Sequence, residues 1–592
     1  MRNISELGRS PLVLTLPAFS IMLVVFGVPM ILLLLSSMNA PVFSFSNYEA
    51  FFSRPANIKV LIQTIEISLV STVLCLLLGY PTAYLITSAS KQLCAMLITF
   101  VMISYLTSFL ARTYAWILIL GDRGLINNAL IELGLISAPL QLIYNRAAVY
   151  VGIVHMMLPI MVLPLISVMM GIDKSLLAAA RSMGARPGAA FWRVFVPLSL
   201  PGVRSGCVLV FVLCLGFYVT PAALGGLGDA MLSTFIAAQV KASLNLGPTA
   251  ASSFILLAIA LVVIFLIGVD LSGSPKALSK PQRVGRGGGM SASVLPRWSF
   301  REMTVPYRRR RWLAERYKAS GRDNRLKYFG MFFLIGVMFF LLFPGFVVIA
   351  TSFSPGKFLE FPPSSLSLQW YASFFGNPSW YDAMMTSIEI GLVVAALSTL
   401  AGTLAAYGIS RFGSGMRSAL TMAVLTPITF PVIVVGIGIY LGLVKLGLIG
   451  TKTGIMLAHS IGAIGYVVVI VSATLANFDR RLEDAAKSMR ANPLQTFVRV
   501  TLPLIRPGIV GGAVFAFLHS FDEVVITSLI GGLSIRTLPL KMWENMRHQL
   551  DPTIAAVASL LMLLPILWII LLYAMWWRSR PSALGVASER SR

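Results

Sequence analysis

The residues of this chain that could do chemistry are few, and the most informative are ionisable groups inside apolar sequence. Asp522 and Glu523 lie about 14 residues into the apolar run 508–531. A central carboxylate costs about 2.5–3.5 kcal/mol on insertion scales, so such a group faces protein or a water-filled cavity. Two readings follow. The pair lines a route for a cationic solute, with aromatic faces from Phe521 and Tyr218, or it locks helix packing through a hydrogen bond or ion pair. Glu66 and Glu389 sit in matching segments, Thr64-Ile65-Glu66-Ile67 and Ser387-Ile388-Glu389-Ile390. Occurring twice, they read as scaffold residues rather than solute contacts. Arg112 lies in another apolar run, where pairing with an acid or snorkelling to the interface is the reading ahead of solute contact. His155, His459, His519 and His548 are scattered, and Cys75, Cys94, Cys207 and Cys214 have no metal-binding spacing. Neither a catalytic constellation nor a metal site is expected. The chain has no Gly-x-x-x-x-Gly-Lys-Ser/Thr segment, so it is not expected to hydrolyse ATP itself.

The elements that must hold these residues are membrane-spanning helices. Of 592 residues 57% are hydrophobic and 12% charged, whereas soluble chains carry about 25% charged residues. Apolar runs long enough to span lie near 12–37, 60–87, 94–120, 148–170, 203–226 and 250–272, then 328–352, 384–410, 417–444, 453–475, 508–531 and 553–577. The fold class is therefore all-α and polytopic, about 12 helices in two sets of six. Residues 1–272 form a first domain and 328–592 a second. Between them, 273–327 is a Gly-, Ser- and Arg-rich linker with 15 basic and 3 acidic residues, read as cytoplasmic, with contact to anionic lipid as the other reading. The net charge of +25 would suggest nucleic acid in a soluble protein. With both termini inside, 35 of the 47 basic residues fall on the cytoplasmic side, so the excess reports membrane orientation and no nucleic-acid partner is expected.

The two sets of six repeat each other. Glu66 matches Glu389 and Tyr84 matches Tyr407 at an offset of 323, while Pro187, Pro197, Pro201 and Gly202 match Pro493, Pro503, Pro507 and Gly508 at 306. Six is even, so the halves insert in the same orientation, as a parallel repeat about an axis along the membrane normal.

Between the fourth and fifth runs of each half lies a loop of matched character. One reads Leu177-Ala178-Ala179-Ala180-Arg181-Ser182-Met183-Gly184-Ala185 and the other Glu483-Asp484-Ala485-Ala486-Lys487-Ser488-Met489-Arg490-Ala491, each followed by Pro, Phe, Arg-Val and Pro-Leu. Alanine with Arg or Lys favours a short helix, which the following Pro bounds. These loops resemble the Glu-Ala-Ala coupling loops of ATP-binding-cassette importer permeases. The resemblance maps the motif onto Ala179, Ala180 and Gly184 in the first half, and onto Ala485 and Ala486 in the second. Asp484 stands at the glutamate position and Arg490 at the glycine. Segments 107–116, 217–226, 520–525 and 537–540 are similar to permeases of the spermidine/putrescine type. The resemblance implies a fused two-half permease of a bacterial inner membrane, driven by two ATPase subunits that hold the ATP and magnesium, and fed by an extracytoplasmic solute-binding protein. It implies a polyamine substrate; ferric ion, an opine or an amino-acid-like solute stays open. A secondary transporter also fits twelve helices but gives no reason for two matched loops.

Overall fold

A computed structural model describes residues 11–242, 245–267, 322–356, 361–532, 534–548 and 551–578. Nearly all of the linker 273–327 lies outside the described residues. Ten helices of the first half carry the argument: α1 (Pro11–Ser37), α2 (Pro55–Ser88), α3 (Lys91–Leu106), α4 (Phe109–Leu120), α5 (Arg146–Met170), α6 (Lys174–Ser182), α7 (Pro187–Leu215), α8 (Val219–Leu224), α9 (Leu232–Ala242) and α10 (Gly247–Ile267). Their counterparts in the second half are α11 (Arg322–Thr351), α12 (Pro378–Ile409), α13 (Ser414–Thr429), α14 (Val432–Lys445), α15 (Lys452–Ala476), α16 (Arg481–Ser488), α17 (Pro493–Phe521), α18 (Val525–Ile530), α19 (Leu538–His548) and α20 (Thr553–Arg578). The described residues contain no strand.

The local sequence places the helix starts. Pro55 and Pro378 open α2 and α12, where a missing N–H costs nothing. Asn145 and Thr451 cap α5 and α15 by accepting from Ala148 N and Gly454 N at 2.9 and 3.0 Å. Both α7 and α17 begin with a proline-led turn followed by a π-helical turn, Phe191–Phe195 and Phe497–Thr501. Pro197 and Pro503 lie just beyond those turns; having no N–H and crowding the carbonyl four residues back, each favours a locally widened helix.

Four expected spans differ from continuous helices. The third and ninth, read as 94–120 and 417–444, bend by 92° between α3 and α4 and by 96° between α13 and α14. Ser108 starts α4 as its cap, accepting from Ala111 N at 3.3 Å, and Pro431 starts α14. The fifth and eleventh, read as 203–226 and 508–531, begin earlier, at Pro187 and Pro493, and break after Leu215 and Phe521 before α8 and α18 resume. Asp522 and Glu523 therefore lie in a break, not inside a helix.

Each half is built on three mutually packed helices, α2, α5 and α7 or α12, α15 and α17. The first helix of each half crosses to the other. Helix α1 packs on α12 and α14, and α11 packs on α2, α3 and α4. Glycines let α1 approach: a Cβ on Gly408 would lie 2.8 Å from the Pro11 carbonyl oxygen, and one on Gly438 2.6 Å from Met30 Sδ.

Candidate functional site

Three constellations have counterparts in both halves. The first lies about three turns into α2 and α12, where Glu66 pairs with Arg146 at 3.1 Å and Glu389 with Lys452 at 2.5 Å. The neighbouring hydroxyls do matched work too, Thr64 Oγ1 accepting from Leu232 N and Ser387 Oγ from Leu538 N, each at 2.7 Å. The repeated Thr/Ser-Ile-Glu-Ile segment thus ties α2 to α5 and the start of α9, and α12 to α15 and the start of α19. Arg146 also reaches Asp229 at 3.0 Å.

The second constellation is where the breaks of the two halves meet. Asp522 accepts from Phe109 N at 3.0 Å with one oxygen and from Ser108 Oγ with the other. A carboxylate of the second half thus caps the N-terminus of α4 in the first half, where orphan amides and the helix dipole favour negative charge. The related junction uses other chemistry. Gly216, the counterpart of Asp522, abuts Pro431 and Val432, the counterparts of Ser108 and Phe109, so closely that a Cβ would lie 3.1 Å from Pro431 Cα. Glu523 caps its own half, accepting from Ile526 N at 2.7 Å. His459 bridges this break, its ring nitrogens lying 2.9 Å from Ser520 Oγ and 3.0 Å from Thr527 Oγ1. In the first half His155 instead lies 3.3 Å from the Leu341 carbonyl.

The aromatic residues expected beside the acids have ring partners of their own. Phe521 stacks on Phe517 at 5.3 Å, and Tyr218 meets Trp543 at 5.7 Å. Tyr218 lines a cavity of about 390 Å³ with Ala222, Thr234, Ala237, Ala238, Ala242 and Arg547. Arg112 does not snorkel; it makes no hydrogen-bonded ion pair among the described residues, but Asp522 lies near enough for the two charges to interact. It is 2% exposed, its guanidinium lies 4.8 Å from the centre of the Phe109 ring, and none of its nitrogens has a hydrogen-bond partner among the described residues.

The third constellation is the pair of loop helices, α6 and α16. Ala179 and Ala485 are exposed, and Ala180 and Ala486 partly so. Asp484 pairs along its own helix with Lys487 at 3.2 Å. After each helix the chain turns through a left-handed residue, Gly184 at φ +89° and Arg490 at φ +64°. Ala185 N then returns to the Ala180 carbonyl and Ala491 N to that of Ala486, the pairing of a Schellman-type cap. Two residue sets escaped the sequence reading. Met183 and Met489 are 79% and 84% exposed, and Leu176 and Leu482 earlier in the same loops are exposed too, an apolar pair at identical places in both loops that was visible at the offset of 306. Glu483, by contrast, is 1% exposed and accepts from Arg411 Nη2 and Thr501 Oγ1, each at 2.5 Å. Burial pushes the Glu483 carboxyl up, but the hydrogen bonds and charge of Arg411 with the Thr501 bond outweigh it and hold it below the usual carboxylate range.

Two stretches, 144–270 and 398–580, match the family described as binding-protein-dependent transport system inner membrane component. The spermidine/putrescine transport system permease protein PotB of Haemophilus influenzae is 34% identical over 199 residues, covering 34% of this chain and 69% of that protein. PotB of Escherichia coli is 32% identical over 198 residues, 33% of this chain and 72% of that protein. The putrescine transport system permease protein PotI of Escherichia coli is 32% identical over 234 residues, 38% of this chain and 82% of that protein. Each relative corresponds in extent to about one half of this chain. With one matched stretch in each half and the same helix order twice over, the chain belongs to the family of binding-protein-dependent transport system inner membrane components.

Proposed function

We propose that this chain forms both membrane halves of an ATP-binding-cassette importer, the two ATPase subunits docking on α6 and α16 at the cytoplasmic face. The observation that carries the reading is the matched, exposed apolar pair on each loop helix, Leu176 with Met183 and Leu482 with Met489. Ala179, Ala180, Gly184, Asp484, Ala485, Ala486 and Arg490 shape those two surfaces. ATP and magnesium belong to the ATPase, and closure of the ATPase pair shifts the permease between outward-open and inward-open states only through contacts that differ between them. The route runs between the halves, past the junctions at Ser108 and Asp522 and at Gly216 and Pro431.

For the substrate we infer a small organic cation, a polyamine by analogy with the named relatives. A binding protein would deliver it at the far end, beside Tyr218. Asp522 is the pathway carboxylate: it meets the other half at a helix break, and half-helix termini are where transporters place ligand groups. The test is reconstitution with a cognate P-loop ATPase and solute-binding protein. Putrescine- or spermidine-loaded binding protein should raise ATP hydrolysis and drive uptake. Uptake that persists without ATP, or a chain that never binds an ATPase, would overturn the assignment; stimulation by an amino acid, opine or ferric ion alone would overturn the substrate. Uptake rate and preference unchanged in Asp522→Asn would remove that residue from the route.

A further inference from the structure

The two loop helices share an exposed Leu and Met, though Asp484 and Arg490 stand where the first loop has Ala178 and Gly184, and they are fastened to their halves by different chemistry. Tyr84 and Tyr407 correspond, as do Phe191 and Phe497. Three other positions around them change together: Leu177 becomes Glu483, Phe195 becomes Thr501 and Ser88 becomes Arg411. In the first half the outcome is an apolar nest. Tyr84 meets Phe191 and Phe195 edge-on, both at 5.2 Å, and Leu177 packs against the same cluster. Among the described residues, α6 makes no side-chain hydrogen bond or ion pair to α2.

In the second half Glu483 sits at the same place with directed bonds on it. Arg411, just past the end of α12, donates at 2.5 Å and rests its guanidinium 4.3 Å from the Tyr407 ring centre. Thr501, in the wide turn near the start of α17, donates at 2.5 Å, and the Tyr407 hydroxyl approaches at 3.4 Å. Arg480, immediately before α16, adds a bond to the Ser410 carbonyl at 2.6 Å. One carboxylate therefore joins α16 to the end of α12 and the start of α17. Apolar packing is non-directional and permits sliding; charge-assisted hydrogen bonds are short, oriented and about twice as strong as neutral ones, and a buried carboxylate cannot leave them without exposing an unpaired charge.

We propose that Glu483 is the positioning residue that makes the second loop move as one body with α12, so that the two ATPase subunits drive the two halves through linkages of unequal stiffness. This deepens the importer reading and rests on it. The exposed Leu and Met that would meet the ATPases recur in both loops, so the apolar part of the contact is common to the two. What differs is how far a displacement of each loop is passed to the membrane helices.

The experiment uses the full chain reconstituted with its ATPase subunits and spermidine-loaded binding protein, and reads solute moved per ATP hydrolysed. Glu483→Gln and Arg411→Met should each lower that ratio by about fivefold or more, while ATPase binding and basal hydrolysis stay within about twofold of the parent. The mirror substitutions Leu177→Met and Ser88→Ala should leave the ratio unchanged. Glu483→Asp and the exchange Glu483→Arg with Arg411→Glu guard against misfolding, and Glu483→Asp should recover part of the coupling. A ratio within about twofold of the parent in all Glu483 and Arg411 variants overturns the inference. So does a loss explained wholly by failure to assemble with the ATPase, which would make the cluster merely structural. If the parent chain itself shows no ATPase binding and no solute-stimulated hydrolysis, the importer reading has failed instead.

Discussion

At the scale of single residues, the second loop holds a strained position and an ionised one. Arg490 occupies the left-handed conformation that Gly184 takes in the first half. A residue with a Cβ pays roughly 1–2 kcal/mol there, relieved by glycine at the residue after a helix. Arg490→Gly should stabilise the protein by about 1 kcal/mol, read as a higher thermal midpoint in detergent; an unchanged or lower midpoint would show the arginine side chain compensating. Glu483 sets a pH dependence. Its folded pKa lies below its ordinary value, so its contribution to stability is complete above about pH 4.3 and is lost as the pH falls through the depressed value. Parent protein should therefore lose more stability than Glu483→Gln as pH is lowered from about 6 to about 3, and equal losses would contradict the pairing. The exposed Leu and Met of each loop escaped the reading although they recur at a fixed offset, because exposure is not written in the residue types themselves. The anchoring of Glu483 escaped it too, because Arg411 is 72 residues away and nothing local announces the pairing.

At the scale of elements, the information lies in how helices end. Hydropathy placed the third, fifth, ninth and eleventh spans but hid their breaks, since a window about 20 residues wide averages over Thr107-Ser108 or Asp522-Glu523-Val524. Backbone capping explains why chemistry gathers there: each break leaves amides without helical partners, and in an apolar surrounding something must accept from them. Asp522 does so for α4 across the boundary between halves. Asp522→Ala should cost about 1–2 kcal/mol, the usual effect of losing a cap, and Asp522→Asn less, because an amide oxygen can still accept from Phe109 N. The cost is read from thermal unfolding with the two halves intact. The reverse change, Gly216→Asp, should also destabilise, since its Cβ would press on the Pro431 backbone. If Gly216→Asp were neutral, the two junctions would be less tightly packed than the distances indicate.

For the whole molecule, two parallel halves were legible from the repeat, yet the exchange of first helices was not. Lipid-facing and protein-facing surfaces are both apolar, so hydropathy cannot say which half a helix will choose. The structure settles it through small residues: Gly408, Gly438 and Gly442 admit α1 against α12 and α14, and a Cβ on Gly442 would come within 2.4 Å of Pro29. With α11 lying on α2, α3 and α4 in return, each half holds an arm of the other. Covalent continuity through 273–321 then contributes mainly effective concentration, which is already high for two chains inserted in one membrane. Cutting the chain after Gly289 and co-expressing the two pieces should give a complex that purifies through a tag on either piece. Its thermal midpoint should lie within about 2–4 °C of the intact chain, the shift that roughly 1 kcal/mol makes in a domain of about 150–250 residues. Removing residues 1–37 as well should expose the small-residue face of α12 and α14, making protease cleavage faster in the second half than in the first. Halves that purify separately after the cut would mean that α1 and α11 do not hold them together, and that the linker does.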